Sequence, residues 1–241
     1  MSVPTAPPNA VPTDPAASGR SAQPTRLEAF VDAAFAFALT LLVISIDTIP
    51  ESIGDLTAAL KGVPAFALSF AVIAMFWYQH ARWSRHYGSD RLAVTLLSLV
   101  LVFLVLIYVY PLKIVFSAAM ATLSGGWLPS ATRIDSLDDL VLVYRVYGLG
   151  WSAMWLCIVG LYWIAARDGQ PTPQRAADIA ANVAVGGVAI ATGLVSVLIA
   201  GLLPAERSWV HGLPGIVYVA MNLAWPVSHL AARRAARIAA A

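Results

Sequence analysis

The residues best placed to do chemistry stand in one apolar run, Arg26 to Ile44, which reads RLEAFVDAAFAFALTLLVI. It is a membrane-type helix with an arginine at its mouth, an aspartate one to two turns in, and a lone threonine at its centre. A charge inside a bilayer is costly, and such residues pair with one another or mark an ion path. Asp32 lies too deep for the dipole of the first helical turn to account for it. Six residues separate it from Arg26, which puts the two on different faces of a helix. Its partner is therefore expected on another helix. The next apolar segment offers His80 at similar depth, on a face shared by Trp77, Ala81 and Ser84. An inter-helix polar cluster of Asp32, His80 and Arg26 is expected, acting either as structural glue or as part of a gate. Glu28 needs less: with Thr25 it spells a capping box, in which hydroxyl and carboxylate satisfy amides at the helix start.

A second pattern runs along the same helix. Ala33, Phe37, Thr40, Ile44 and Asp47 follow spacings of 4, 3, 4 and 3, which lays them in one narrow stripe. Copies of the helix meeting along this stripe would present rings of Phe37, Thr40 hydroxyls and Ile44, with Asp47 at the outer mouth. Apolar constrictions gate ions by dewetting, and acidic rings attract cations. The same spacing also makes an ordinary packing seam within one subunit, and taken alone it favours that seam. Thr40 by itself decides nothing, because a threonine hydroxyl can bond to its own helix backbone.

The elements that must position these residues follow from composition. Of 241 residues, 59% are hydrophobic and 12% charged, which places the chain in a lipid bilayer. Residues 1–24 are rich in Pro, Ala, Ser and Thr and are expected to be disordered. They lack the basic and apolar regions of a signal peptide, so the first apolar helix is expected to serve as its own insertion signal. Six spans are expected: 26–49, 60–83, 92–123 (with Pro111 inside), 140–166, 177–203 and 209–231. Together they make an all-α membrane domain over 25–232, followed by a basic tail, 233–241. Gly186, Gly187, Gly193, Gly201, Gly212 and Gly215 read as close-packing positions. Arg20, Arg26, Arg82, Arg85, Arg91, Arg167, Arg175, Arg233, Arg234 and Arg237 all fall on one side of this layout. The positive-inside rule then makes both termini cytoplasmic.

Other classes of function fit poorly. A net charge of +2 without a separate basic tract gives nucleic acid little to bind. Cys157 is the only cysteine and sits in a helical core pattern. His80, His86, His211 and His229 show no metal-ligand spacing, and no hydrolase, metalloprotease or phosphate-loop motif is present. The carbonyl filter sequence Thr-Val-Gly-Tyr-Gly is absent. The run Val146-Tyr147-Gly148-Leu149-Gly150 is only faintly similar and reads as helix packing. No enzyme activity, cofactor or resident metal is expected.

Arg26-x-x-x-Phe30-Val31-Asp32 resembles the Arg-x-x-x-Phe-Ser-Asp signature of the transmembrane protein 175 family, potassium-selective channels of endosomes and lysosomes with bacterial relatives. Trp77-Tyr78-Gln79-His80-Ala81-Arg82 is similar to the family's Trp-x-x-His-x-Arg stretch. The resemblance implies a homotetramer in the inner cell membrane whose four first helices line a potassium pore. It implies Phe37 and Ile44 as apolar constriction residues and Thr40 as a hydroxyl layer. Arg26, Phe30, Asp32, Trp77 and His80 would brace the first two spans, and potassium would pass only transiently. Two departures bear on selectivity: the signature serine is Val31 here, and Phe37 is bulkier than an aliphatic residue. The competing expectations are a proton-coupled transporter or proton leak path using Asp32 and His80, and a membrane scaffold with a closed, dry seam.

Overall fold

The computed structural model of the protein describes residues 25–44, 51–169, 172–204 and 208–240, and these residues are helical wherever they are regular. Helix α1 (Arg26–Ile44) starts at the expected box: the Glu28 amide donates to Thr25 Oγ1 at 3.2 Å, and the Thr25 amide donates to Glu28 Oε2 at 2.6 Å. A short helix, α2 (Ile53–Leu60), is capped by Ser52, whose Oγ accepts from the Asp55 amide. Pro64 in the first turn fixes the start of α3 (Val63–Tyr87), because its missing N–H is an unpaired donor there anyway. Helix α4 (Leu92–Leu123) runs through Pro111. Helix α5 (Leu137–Arg167) begins at a reciprocal box of Ser136 and Asp139, and α6 (Pro173–Gly201) begins with Pro173 behind a Thr172 cap. The chain returns through a 3-10 turn (Ser208–Gly212), α7 (Leu213–Ile216), a second 3-10 turn (Val217–Leu223) and α8 (Ala224–Ala240).

Among the described residues, five stretches are long and apolar enough to cross a membrane: α3, α4, α5, α6 and Val210–Ala240. The expected first span is represented by the 19 residues of α1. At about 1.5 Å per residue that is about 28 Å, just short of a hydrocarbon core of about 30 Å. Its expected continuation, residues 45–49, and Asp47 with it, lie outside the described residues, as does the expected tail of residues 1–24. Boundaries moved where capping chemistry set them. Helix α5 starts at Leu137 rather than 140, because Asp139, which looks like loop acid, is a capping residue. Helix α8 carries Arg233, Arg234 and Arg237 in its own last turns rather than on a separate tail.

Each helix packs mainly on its neighbours: α1 on α3 and α4, α4 on α5, α5 on α6, and α6 on α8. The α1–α3–α4 group joins the rest through aromatic contacts, Phe76 of α3 lying edge-on to Trp151 and Trp155 of α5 at 5.6 and 5.5 Å. The second group is held by backbone proximity. A methyl group on Gly193 would come within 2.8 Å of the Gly148 carbonyl oxygen, and one on Gly148 within 2.7 Å of that of Gly193. The packing reading of the glycines therefore holds for Gly193, and for Gly186, where a methyl group would meet Val159 at 2.3 Å. It does not hold for Gly187 or Gly212, which have nothing within 4 Å of such a methyl group.

Gly193→Ala should accordingly separate α5 from α6 and lower the thermal midpoint of the purified protein, at a cost of about 1–3 kcal/mol. Gly187→Ala should leave it unchanged or raise it, since alanine is the better helix former by up to about 1 kcal/mol. Equal effects of the two substitutions would contradict the glycine-to-glycine contact.

Candidate functional site

Helix α1 has two opposite faces. Val31, Phe35, Ala38 and Leu42, at spacings of 4, 3 and 4, are at most 2% exposed and form the face that packs on α3 and α4. Ala33, Phe37 and Thr40 lie roughly opposite and are exposed, Phe37 by 55%. Arg26 and Phe30 continue the same spacing toward the helix start, and both are exposed. Within one protomer the stripe is thus no internal packing seam, because the seam is the other face. The Thr40 hydroxyl donates back to the Ala36 carbonyl at 3.0 Å. That bond leaves the oxygen available as an acceptor. Ile44 is the last residue of α1.

Helix α3 braces the mouth of α1. Trp77 Nε1 donates to Asp32 Oδ1 at 2.8 Å. Two turns further along the same face, the Ser84 hydroxyl donates to Glu28 Oε1. His80, between them and buried, shares a 2.9 Å hydrogen bond with Ser98 of α4. Asp32 and His80 are therefore brought to the same cluster without bonding each other; each takes a different partner, though Asp32 and Glu28 both lie within Coulombic range of the imidazole. Arg26 makes no hydrogen bond or ion pair among the described residues. Glu28 is more than a cap, since one of its oxygens serves Thr25 and the other Ser84. Val31, where the resemblance expects a serine, sits fully buried on the packed face.

A second polar node lies on the far side of α3. Arg82 meets Asp178 of α6 at 2.5 Å, and the Tyr87 hydroxyl donates to the other oxygen of the same carboxylate at 2.7 Å. Helical spacing puts Ser84 on the face of Trp77 and His80, but it does not point to Ser98 or Asp178. Ser98 and Asp178 carry the signal that marked Asp32: a polar residue inside an apolar run has to find a partner. The described residues hold no group of three metal-ligating side chains. A cavity of about 250 Å³ opens near Leu42, Gly62, Phe66, Lys113 and Ser117, at the other end of α1 from the Asp32 cluster. Its lining contains no acid. The arrangement is one helix clamped on one face and open on the other.

Three comparisons bear on this geometry. A family model described as "Endosomal/lysosomal potassium channel TMEM175" matches residues 26–111, which take in α1, α3 and the first two-thirds of α4. A protein of Marivirga tractuosa named "Potassium channel" is 39% identical over 161 residues, 64% of this chain, and the match spans 64% of that relative's length. The solved crystal structure of the potassium channel MtTMEM175, a threonine-to-alanine variant bound to a nanobody–MBP fusion, is 30% identical. It superposes with a TM-score of 0.71, covering 94% of this chain and 100% of that one.

The His80–Ser98 bond is the most buried part of the brace. Ser98→Ala leaves an imidazole nitrogen without its partner and should destabilise the protein by about 1–3 kcal/mol. Thr122→Ala, which removes an exposed hydroxyl bonded only to its own helix, should stay within about 0.5 kcal/mol of the parent. Thermal unfolding of both variants checks this, and a Ser98→Ala protein as stable as Thr122→Ala would contradict the brace.

Proposed function

The chain belongs to the TMEM175 family, and we propose that it is a potassium-preferring cation channel, a homotetramer in which four copies of α1 surround the pore. One observation carries the reading: the Ala33–Phe37–Thr40 stripe is exposed on a helix whose opposite face is fully packed. A chain with one such helix cannot enclose a pore, so several copies are required. Lipid is a poor cover for this face, because Arg26 is exposed at its mouth and a charge facing hydrocarbon is costly. A central aqueous path lined by neighbouring copies removes that cost. Arg26, without a hydrogen bond or ion pair among the described residues, then completes the cluster of Phe30, Asp32, Trp77 and His80 at the subunit junction.

In this assembly Phe37 and Ile44 form the apolar neck, Thr40 supplies hydroxyls that replace part of the lost hydration, and Asp47 concentrates cations at the outer mouth. In this reading the chain is a six-span protein of the inner cell membrane, and the arginine distribution supports cytoplasmic termini. The relatives' names support potassium as the permeant ion. A proton path through Asp32 and His80 is the weaker reading, since each already bonds to another side chain, Trp77 and Ser98.

Permeation through reconstituted protein tests the neck. Phe37→Ala and Ile44→Ala should raise conductance and lower the potassium-to-sodium ratio. Thr40→Val keeps the shape and removes the hydroxyl, so the ratio should fall about fivefold, the factor that about 1 kcal/mol per ion corresponds to. Leu39→Ala, on the half-buried side of α1, is the control. A control as disruptive as Phe37→Ala would remove α1 from the pore, and so would a stripe whose substitutions leave permeation unchanged.

A further inference from the structure

Arg82 closes the second motif of the sequence, and the pore reading gives it no role. It lies five residues past Trp77, roughly 140° round the helix at about 100° per residue, so it points away from α1. There it finds Asp178, one to two turns into α6. The Asp178 carboxylate is shared: Oδ1 takes Arg82 at 2.5 Å and Asn182 Nδ2 at 3.3 Å, and Oδ2 takes the Tyr87 hydroxyl at 2.7 Å. The Arg175 guanidinium stacks over the Tyr87 ring at 4.8 Å and donates to the Ala165 carbonyl of α5 at 2.8 Å, fixing the tyrosine from the other side. Helix α3 packs on α1, α4 and α5, whereas α6 packs on α5 and α8. Among the described residues, Arg82 and Tyr87 are the α3 side chains that hydrogen-bond to α6.

We propose that Asp178 is a positioning residue for α1. Through Arg82 and Tyr87 it fixes where α3 sits relative to α6, and α3 carries that placement to α1 through Trp77–Asp32 and Ser84–Glu28. All four links leave α3 within eleven residues, and that stretch is one continuous helix, so a rigid-body shift of its end moves both bonds to α1 together. The consequence for flux rests on the pore reading above: the Asp178 node sets the fraction of time the α1 ring is open. It leaves the ion preference alone, because no residue of the node lies on the stripe.

The test uses the full chain in lipid nanodiscs and planar bilayers. Asp178→Asn keeps the shape of the side chain and removes its charge; Tyr87→Phe removes one bond from the same carboxylate and still serves if Asp178→Asn does not fold. Arg91→Gln is the matched control, because it cuts the 2.8 Å ion pair between Arg91, at the start of α4, and Asp168, which involves neither α3 nor α6. Hydrogen exchange of peptides covering residues 26–34 should speed up about fivefold or more in both node variants, and open probability should shift by a similar factor. The potassium-to-sodium ratio should stay at the parent value, and Arg91→Gln should leave exchange and gating alone. Unchanged exchange over 26–34 in the node variants overturns the proposal, as does an equal change in Arg91→Gln. A parent protein that passes no current, with exchange over 26–34 still faster in the node variants, defeats the pore reading and leaves the mechanical link standing.

Discussion

A polar group in hydrocarbon has to be paired inside the protein, and the organisation of this chain follows from how α3 meets that demand. Unpaired groups cost several kcal/mol there, so the pairs that form fix helices against one another. Helix α3 spends its polar side chains on three different neighbours: Trp77 and Ser84 on α1, His80 on α4, Arg82 and Tyr87 on α6. Among the described residues α6 also reaches three helices, α3 through Asp178, α5 through Arg175 and α7 through Ser196, but α3 alone reaches α1. Helix α1 is consequently held by hydrogen bonds at its mouth and by a dry apolar face along its length, and its remaining face is left exposed.

The second half of the molecule solves a different problem. Helices α5 and α6 have few polar side chains to exchange and approach instead through Gly148 and Gly193, where dispersion between backbones takes over. Trp151 and Ser152 of α5 add hydrogen bonds to α6 carbonyls, at 3.0 Å to Ala189 and 3.3 Å to Ile190. This tight pair gives α4 and α3 a firm surface, reached through the Phe76–Trp151–Trp155 cluster.

Much of this was legible in residues, and the failures have a common cause. The start of α1, the need of Asp32 for a partner on the next helix, and the face carrying Trp77 and His80 all follow from helical spacing and the cost of buried charge. Which atom pairs with which depends on the rotation of each helix about its axis, and one sequence does not set that. So Asp32 took Trp77 rather than His80, His80 took Ser98, and Glu28 gained Ser84 beyond its capping role. The glycines illustrate the same limit. Gly193 and Gly187 look alike in the sequence, yet only Gly193 faces a neighbouring backbone. Of the stripe itself, spacing gave the members, but only the packed face of Val31, Phe35, Ala38 and Leu42 tells which side of α1 is left open.

The central claim is that the open face of α1 lines an aqueous path shared by several copies. A thiol placed at its centre tests this most directly. In a Cys157→Ala background, Thr40→Cys protein reconstituted in liposomes is treated with a charged, water-soluble thiol reagent while potassium flux is followed. The account predicts that modification abolishes most of the flux, and that an oxidant cross-links the chains to one another through position 40. Complete modification with undiminished flux, or a thiol that neither reacts nor cross-links in an actively conducting protein, would contradict it.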